Sequence, residues 1–234
     1  MAFTFKQFHV DDHGCGMAVS TDGVLLGAWA ALPDSGTVLD IGTGSGLLAL
    51  MAAQRCGCPI TAIELDAEAC VQAKANVAAS PWPQRIDVQH IDANQHRQQV
   101  AAIVCNPPYF GSGERTQKSQ GRALARHQDG LTLSQLLECC QRLLTATGFA
   151  SVILPDNEAQ QLIQLLPSKQ LHLQRQCLVK TTERKPVQRQ LLTFGKQPQP
   201  LHSEQLTVHR ADGRYSDAFI ALTDDFYLQL GSHR

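Results

Sequence analysis

The chain predicts an α/β fold, a doubly wound and mostly parallel sheet with an antiparallel end strand. Three observations carry this. Short apolar runs near 37–41, 60–64, 86–91 and 100–105 alternate with helix-like stretches near 46–55 and 67–79, the alternation that builds βαβ units. The first run feeds Gly42-Thr43-Gly44-Ser45-Gly46 and then the apolar stretch Leu47 to Gln54, which reads as strand, tight turn and buried helix. Segments 170–181 and 187–195, separated by charged residues and Pro186, read as a hairpin, and a hairpin pairs antiparallel.

The remaining elements follow in order. A helix is expected at 22–31, capped by Thr21 or Asp22. After the fourth run come a helix at 131–145, a strand at 149–154 and a helix at 156–166 that Asp156 can cap and Pro167 follows. A strand near 205–210 and a helix near 216–224 complete the set. The stretch 110–130 is charged and has no apolar period, so it reads as a long loop, a kind that usually serves function or stays unstructured.

The tetrapeptide Asn106-Pro107-Pro108-Tyr109 ends the run Ala101 to Cys105. Two prolines stiffen the backbone, because each fixes φ and lacks an N–H. The Asn106 amide oxygen and the Pro107 carbonyl are then held as acceptors, with the Tyr109 ring beside them. Such a site suits a flat group bearing –NH2, and methyl transfer to a planar nitrogen is one chemistry that needs it. Upstream, Asp40-x-Gly42-x-Gly44-x-Gly46 departs from the dinucleotide fingerprint, since Leu47 stands where a further glycine is required. A carboxylate at that strand end repels a pyrophosphate but can engage the ammonium of S-adenosylmethionine, directly or through water. Glu64, 18 residues after Gly46, can accept both ribose hydroxyls of an adenosine. Asp92 can accept from the adenine amino group, with a neighbouring N–H at Ala93 donating to a ring nitrogen. Ligands of open α/β sheets bind at strand carboxyl ends, so Asp40, Glu64, Asp92 and Asn106 would line one crevice.

With these residues in place the chain resembles class I S-adenosylmethionine-dependent methyltransferases of the Asn-Pro-Pro-Tyr amino-methylating group. Within it the resemblance is to the bacterial tRNA(Val) adenine-N6-methyltransferase family. It extends over Phe3 to Phe8, Gly23 to Ala30, Leu39 to Met51, Ser80-Pro81-Trp82, Asn106 to Phe110, Tyr215 to Ala218 and Ala221-Leu222-Thr223. It implies a Rossmann-like enzyme that methylates N6 of the adenine at position 37, beside the anticodon of valine tRNA. Asn106, Pro107 and Tyr109 would be catalytic, and Asp40, Gly42, Gly44, Gly46, Glu64, Asp92 and Ala93 would hold S-adenosylmethionine. Relatives that share the tetrapeptide and act on ribosomal RNA, DNA or a protein glutamine remain open, as does a non-catalytic RNA-binding module.

Composition agrees. A chain of 234 residues, 43% hydrophobic, can bury a full core in one domain. The expected division is an N-terminal segment and helix at 1–31, a cofactor-binding and catalytic sheet at 32–195, and a C-terminal strand and helix at 196–234. Eight cysteines show no metal spacing and are expected to be reduced, buried thiols with no metal bound. No signal peptide and no membrane-spanning run is expected, which places the protein in the cytoplasm. The formal net charge is −1, but it is unevenly spread. Residues 34–92 carry seven acids against three bases, whereas 169–196 carry seven bases against Glu183 alone. Arg115, Lys118, Arg122 and Arg126 add charge after the tetrapeptide. A phosphate backbone needs such a face, and Arg115, Arg184 and Lys185, with Pro108 and Phe110 at the base, are the expected substrate contacts. A solvated surface explains the same charges equally well.

Overall fold

The computed structural model of the chain describes residues 2–108 and 131–229. Two short strands, β1 (Ala2–Thr4) and β2 (His9–Asp11), pair antiparallel at the start. They are followed by α1 (Thr21–Trp29), β3 (Val38–Ile41), α2 (Leu47–Arg55), β4 (Ile60–Glu64), α3 (Ala67–Ala78), β5 (Ile86–His90) and β6 (Val100–Cys105). After residue 130 come α4 (Leu133–Leu143), β7 (Leu144–Pro155), α5 (Asp156–Leu165) and a 3-10 turn (Leu166–Lys169). The last elements are β8 (His172–Lys180), β9 (Val187–Gly195), β10 (His202–Thr207) and α6 (Asp217–Thr223).

An eight-stranded sheet in the order β10-β8-β9-β7-β6-β3-β4-β5 forms the middle layer. Only β9 runs against the rest, pairing antiparallel with both β7 and β8. The antiparallel strand is therefore in the expected half of the sheet but not at its end, because β10 adds outside β8 in parallel. All the parallel strands end on one edge, and β9 begins there. The central strands β3, β4 and β6 are buried on both faces, as a doubly covered sheet requires, while the outer strands β8 and β10 carry many polar residues. One face packs on α1, α2, α3, α6 and the β1–β2 pair, the other on α4 and α5.

Local chemistry sets the helix starts. Ser20, extended at φ −129°, accepts from Gly23 N and caps α1, so neither Thr21 nor Asp22 is the cap. Asp156 does not cap α5. It is the first helical residue, and its Oδ1 accepts from Gln190 Nε2 at 2.5 Å. Thr132 and Gln135 form a reciprocal capping box on α4. Helices α1 and α2 lie close, since a Cβ on Gly27 would come within 2.3 Å of Met51 Sδ. The final strand is earlier than expected, at His202–Thr207, and the β1–β2 pair was not foreseen at all.

Candidate active site

The turn after β3 is built from left-handed glycines. Gly42, Gly44 and Gly46 have φ of 71°, 57° and 87°, values that L side chains resist. A Cβ on Gly42 or Gly44 would meet nothing within 4 Å. The turn thus faces open space that any side chain there would fill. Asp40 lies beneath it, fully buried. Its Oδ2 accepts from Thr43 Oγ1 at 2.5 Å and from Ala49 N at 3.1 Å, while Oδ1 is buried without a partner among the described residues. Burial pushes the Asp40 carboxyl up to about 7, against the lowering pull of Thr43 and Ala49, with the Glu64 charge adding a further rise.

Glu64 ends β4 on the same edge. Its Oε2 accepts from Gly44 N at 2.8 Å, and its Oε1 from Leu65 N and Asp66 N at 2.9 and 3.0 Å. It therefore bolts the glycine turn to the start of α3. Asp92 follows β5, and its Oδ1 accepts from Asn94 N at 2.7 Å. Ala93 is buried, and its carbonyl accepts from Arg142 of α4 at 2.9 Å. Arg142 also reaches the His96 carbonyl, so one guanidinium clamps this loop.

Asn106 leaves the end of β6 half-buried, with Pro107 buried and Pro108 exposed. The Asn106 Oδ1 is buried and has no hydrogen-bond partner among the described residues. Leaving a buried acceptor unsatisfied costs about 1–3 kcal/mol, so this oxygen is where a donor from outside the chain gains most. The first turn of α1 stands beside it: a Cβ on Gly23 would lie 3.9 Å from Asn106 Nδ2. Tyr109, Phe110 and Arg115 lie outside the described residues.

The sheet brings together Asp40, the glycines, Glu64, Asp92, Ala93 and Asn106 along one edge. The basic run divides. Lys180, Arg184, Lys185 and Arg189 lie at that edge, around the β8–β9 turn and the start of β9, with Arg184 and Lys185 exposed. Lys169 and Lys196 lie at the opposite edge, where they meet Glu138 and the Leu144 carbonyl. Arg175 is occupied lower down, pairing with Glu204 and stacking 4.1 Å above the Trp29 ring. Sequence reading also missed Asn76 of α3. Buried, it donates to the Ser45 and Asp11 carbonyls and accepts from Asp11 N and Gln72 Nε2, tying the glycine turn to β2. A signal existed, since Asn76 falls on the same helical stripe as Ala69, Cys70, Ala73 and Val77. The loop after β2 borders this edge as well: burial, then the charges of Asp12, Glu64 and Asp66, push the Cys15 thiol up to about 11.

Comparison with known proteins matches residues 22–132 to the methyltransferase small domain family. A tRNA1(Val) (adenine(37)-N6)-methyltransferase from Photobacterium profundum is 52% identical, over 97% of this chain and 98% of that protein. The enzyme of the same name from Vibrio parahaemolyticus is 47% identical over 97% of this chain and 96% of its own length.

The chain belongs to the tRNA1(Val) (adenine(37)-N6)-methyltransferase family.

This tRNA adenine-methyltransferase family member has the class I fold. An Agrobacterium tumefaciens protein described as a predicted O-methyltransferase superposes with a TM-score of 0.67 at 17% identity, covering 88% of this chain and 96% of that one. A methyltransferase from Pyrococcus furiosus gives 0.60 at 21% identity, over 81% and 89%. S-adenosylmethionine is the cofactor of such enzymes, and the residues present fit it: open space before left-handed glycines, carboxylates at three successive strand ends, and a buried Asp40 oxygen without a partner among the described residues. All eight cysteines are free thiols. Among the described residues, no group of three His, Cys, Asp or Glu could hold a metal ion, and no helix is long and apolar enough to cross a membrane.

Proposed function

We propose that this chain methylates N6 of the adenine at position 37 in the anticodon loop of valine tRNA, with S-adenosylmethionine as methyl donor, in the cytoplasm. The observation that carries the reading is the buried Asn106 Oδ1 at the end of β6, without a partner among the described residues and followed by a proline that lacks an N–H. Identity to enzymes of that name along nearly the whole chain supports the choice of substrate. One sheet with strands from Val38 to Thr207 supports a single domain.

The bound cofactor supplies an electrophilic methyl group together with its own leaving group. The chain's residues do the rest by position. Asn106 Oδ1 and the Pro107 carbonyl accept the two amino hydrogens, which turns the nitrogen lone pair out of conjugation with the ring. Tyr109 stacks on the base, which must swing out of its loop to reach them. Phe110 forms a second wall, and Pro108, Arg115, Arg184 and Lys185 meet the rest of the RNA. Glu64 accepts from the ribose hydroxyls, Asp92 and the Ala93 N–H read the adenine ring of the cofactor, and Asp40 lies nearest the place for the ammonium.

The test is to incubate the protein with labelled S-adenosylmethionine and total RNA lacking the modification, then to identify the labelled nucleoside and its carrier. N6-methyladenosine in valine tRNA is the expected product. Label in ribosomal RNA or in protein would overturn the substrate, and no label in any fraction would overturn the activity.

A further inference from the structure

Beside the acceptor position the sheet edge opens into a cleft of about 440 Å³ lined by Pro155, Asp156, Asn157, Val187, Gln188 and Arg189. Its place follows from register. Cys105 pairs with Val152 and Pro155 with Arg189, so β7 runs past the end of β6 by about 10 Å at the usual rise of a strand. The cleft therefore stands one strand across from Asn106 and slightly above it. The first turn of α1 links the two, through one residue on each side. Gly23 faces the Asn106 amide, and its neighbour Asp22 pairs with Arg189 at 2.8 Å.

Asp156, Gln188 and Arg189 are held in place before any ligand arrives. Asp156 is fixed by Gln190 at 2.5 Å. The Gln188 side-chain oxygen accepts from Thr181 Oγ1 at 2.7 Å, which orients its amide. Arg189 is anchored by Asp22 and by the Gln188 carbonyl at 3.0 Å. Asn157 and Gln188 are exposed and offer amides, whose mixed donor and acceptor character matches a nucleobase edge. Arg189 beside them is already paired with Asp22, so recognition here falls to the amides. Such a seat has a physical use. Swinging one base out of a loop unstacks its neighbours, and a neighbour that finds new partners offsets part of that loss.

We propose that this cleft seats the nucleotide adjacent to the target adenine, its base against Asn157 and Gln188. The assignment rests on the RNA reading above and adds to it a second nucleotide subsite.

The experiment compares the parent with the double variant Asn157→Ala, Gln188→Ala on three transcripts of valine tRNA. One is intact, and two carry an abasic nucleotide on the 5′ or the 3′ side of the target adenine. On the intact transcript the double variant loses about tenfold in kcat/KM, the scale of a lost base contact. One abasic transcript costs the parent a similar factor and costs the double variant nothing more. Calorimetric affinity for S-adenosylmethionine stays at the parent value, which shows that the variant is folded. Gln141→Ala, in the cleft at the opposite sheet edge, follows the parent on all three. Unchanged kcat/KM of the double variant on the intact transcript overturns the subsite, and so do losses that multiply instead of overlapping. A parent that methylates none of the transcripts rejects the RNA reading itself, and the subsite with it.

Discussion

Titrating Asp40 tests the centre of the cofactor site. Its carboxyl is fully buried and lifted from 3.8 to about 7, chiefly by burial. Three units correspond to about 4 kcal/mol at 1.36 kcal/mol each. In the unfolded chain the group loses its proton near the ordinary value. Between pH 4 and 7, as a rough window, the folded protein thus binds a proton that the unfolded one does not. Stability falls as pH rises through that window and is level above it. Asp40→Asn keeps an oxygen for Thr43 Oγ1 and Ala49 N and does not titrate. Urea unfolding of parent and variant without cofactor, followed by circular dichroism across the window, measures the effect. The variant's advantage over the parent should grow by about 4 kcal/mol with rising pH and then stop changing. Parallel pH profiles of the two proteins would refute a carboxyl protonated by burial. A cofactor ammonium near Asp40 would favour the charged form, so binding below the folded pKa should release a proton. Calorimetry in two buffers of different ionisation heat reads that release, and identical heats would remove the ammonium from this carboxylate.

Glu64→Gln should weaken S-adenosylmethionine binding by about 1–3 kcal/mol, because a charged acceptor is lost; unchanged calorimetric affinity would exclude the residue from the ribose site. Asn106→Ala should lower turnover steeply while cofactor affinity stays within a few-fold, and Asn106→Asp, which retains an acceptor oxygen, should keep more activity than Ala; a fully active Ala variant would contradict the role. Gly27→Ala should cost about 1–3 kcal/mol in urea unfolding, since its methyl meets Met51 Sδ; wild-type stability would mean that α2 yields there. Arg184→Ala with Lys185→Ala should weaken RNA binding and flatten the slope of log affinity against log salt by slightly less than one unit per lost phosphate contact. An unchanged slope would release this pair from contact with RNA, and cofactor affinity should not move in either case.

Most of the nucleotide-binding half was legible because its signals are local. Periods of apolar residues, a glycine turn and two prolines each act within a few residues, and β3 to β6 with α2 and α3 stand within about two residues of where patterning puts them. The misses needed tertiary information. Ser20 caps α1 through its extended backbone, a geometry that Thr21 and Asp22 could equally have taken. Asp156 turned toward Gln190, which arrives from a strand 34 residues away. The order of the last strands escaped because β10 pairs in parallel outside β8, and nothing in its six residues specifies a neighbour. The basic run suits either one phosphate-binding face or a solvated surface, and the fold divides it: Lys169, Arg175 and Lys196 are taken up by Glu138, Glu204 and the Leu144 carbonyl. Net charge along a sequence does not say which edge of a sheet it reaches.

The Asn76 amide has a consequence in time as well as in space. Its partners Asp11 and Ser45 are separated from it by 65 and 31 residues. At ordinary rates of synthesis, about 5–20 residues per second, β2 waits several seconds on the ribosome before α3 exists to receive it. Phe5 waits longer, because its bridging partner is Tyr227 and Lys6 N binds the Phe226 carbonyl. The Asn76 clasp on the glycine turn can therefore close as soon as α3 has been made, whereas the Phe5 and Lys6 contacts wait for residues 226 and 227. The first residues to be made thus dock in two steps, the support of the cofactor loop before the seam with Tyr227.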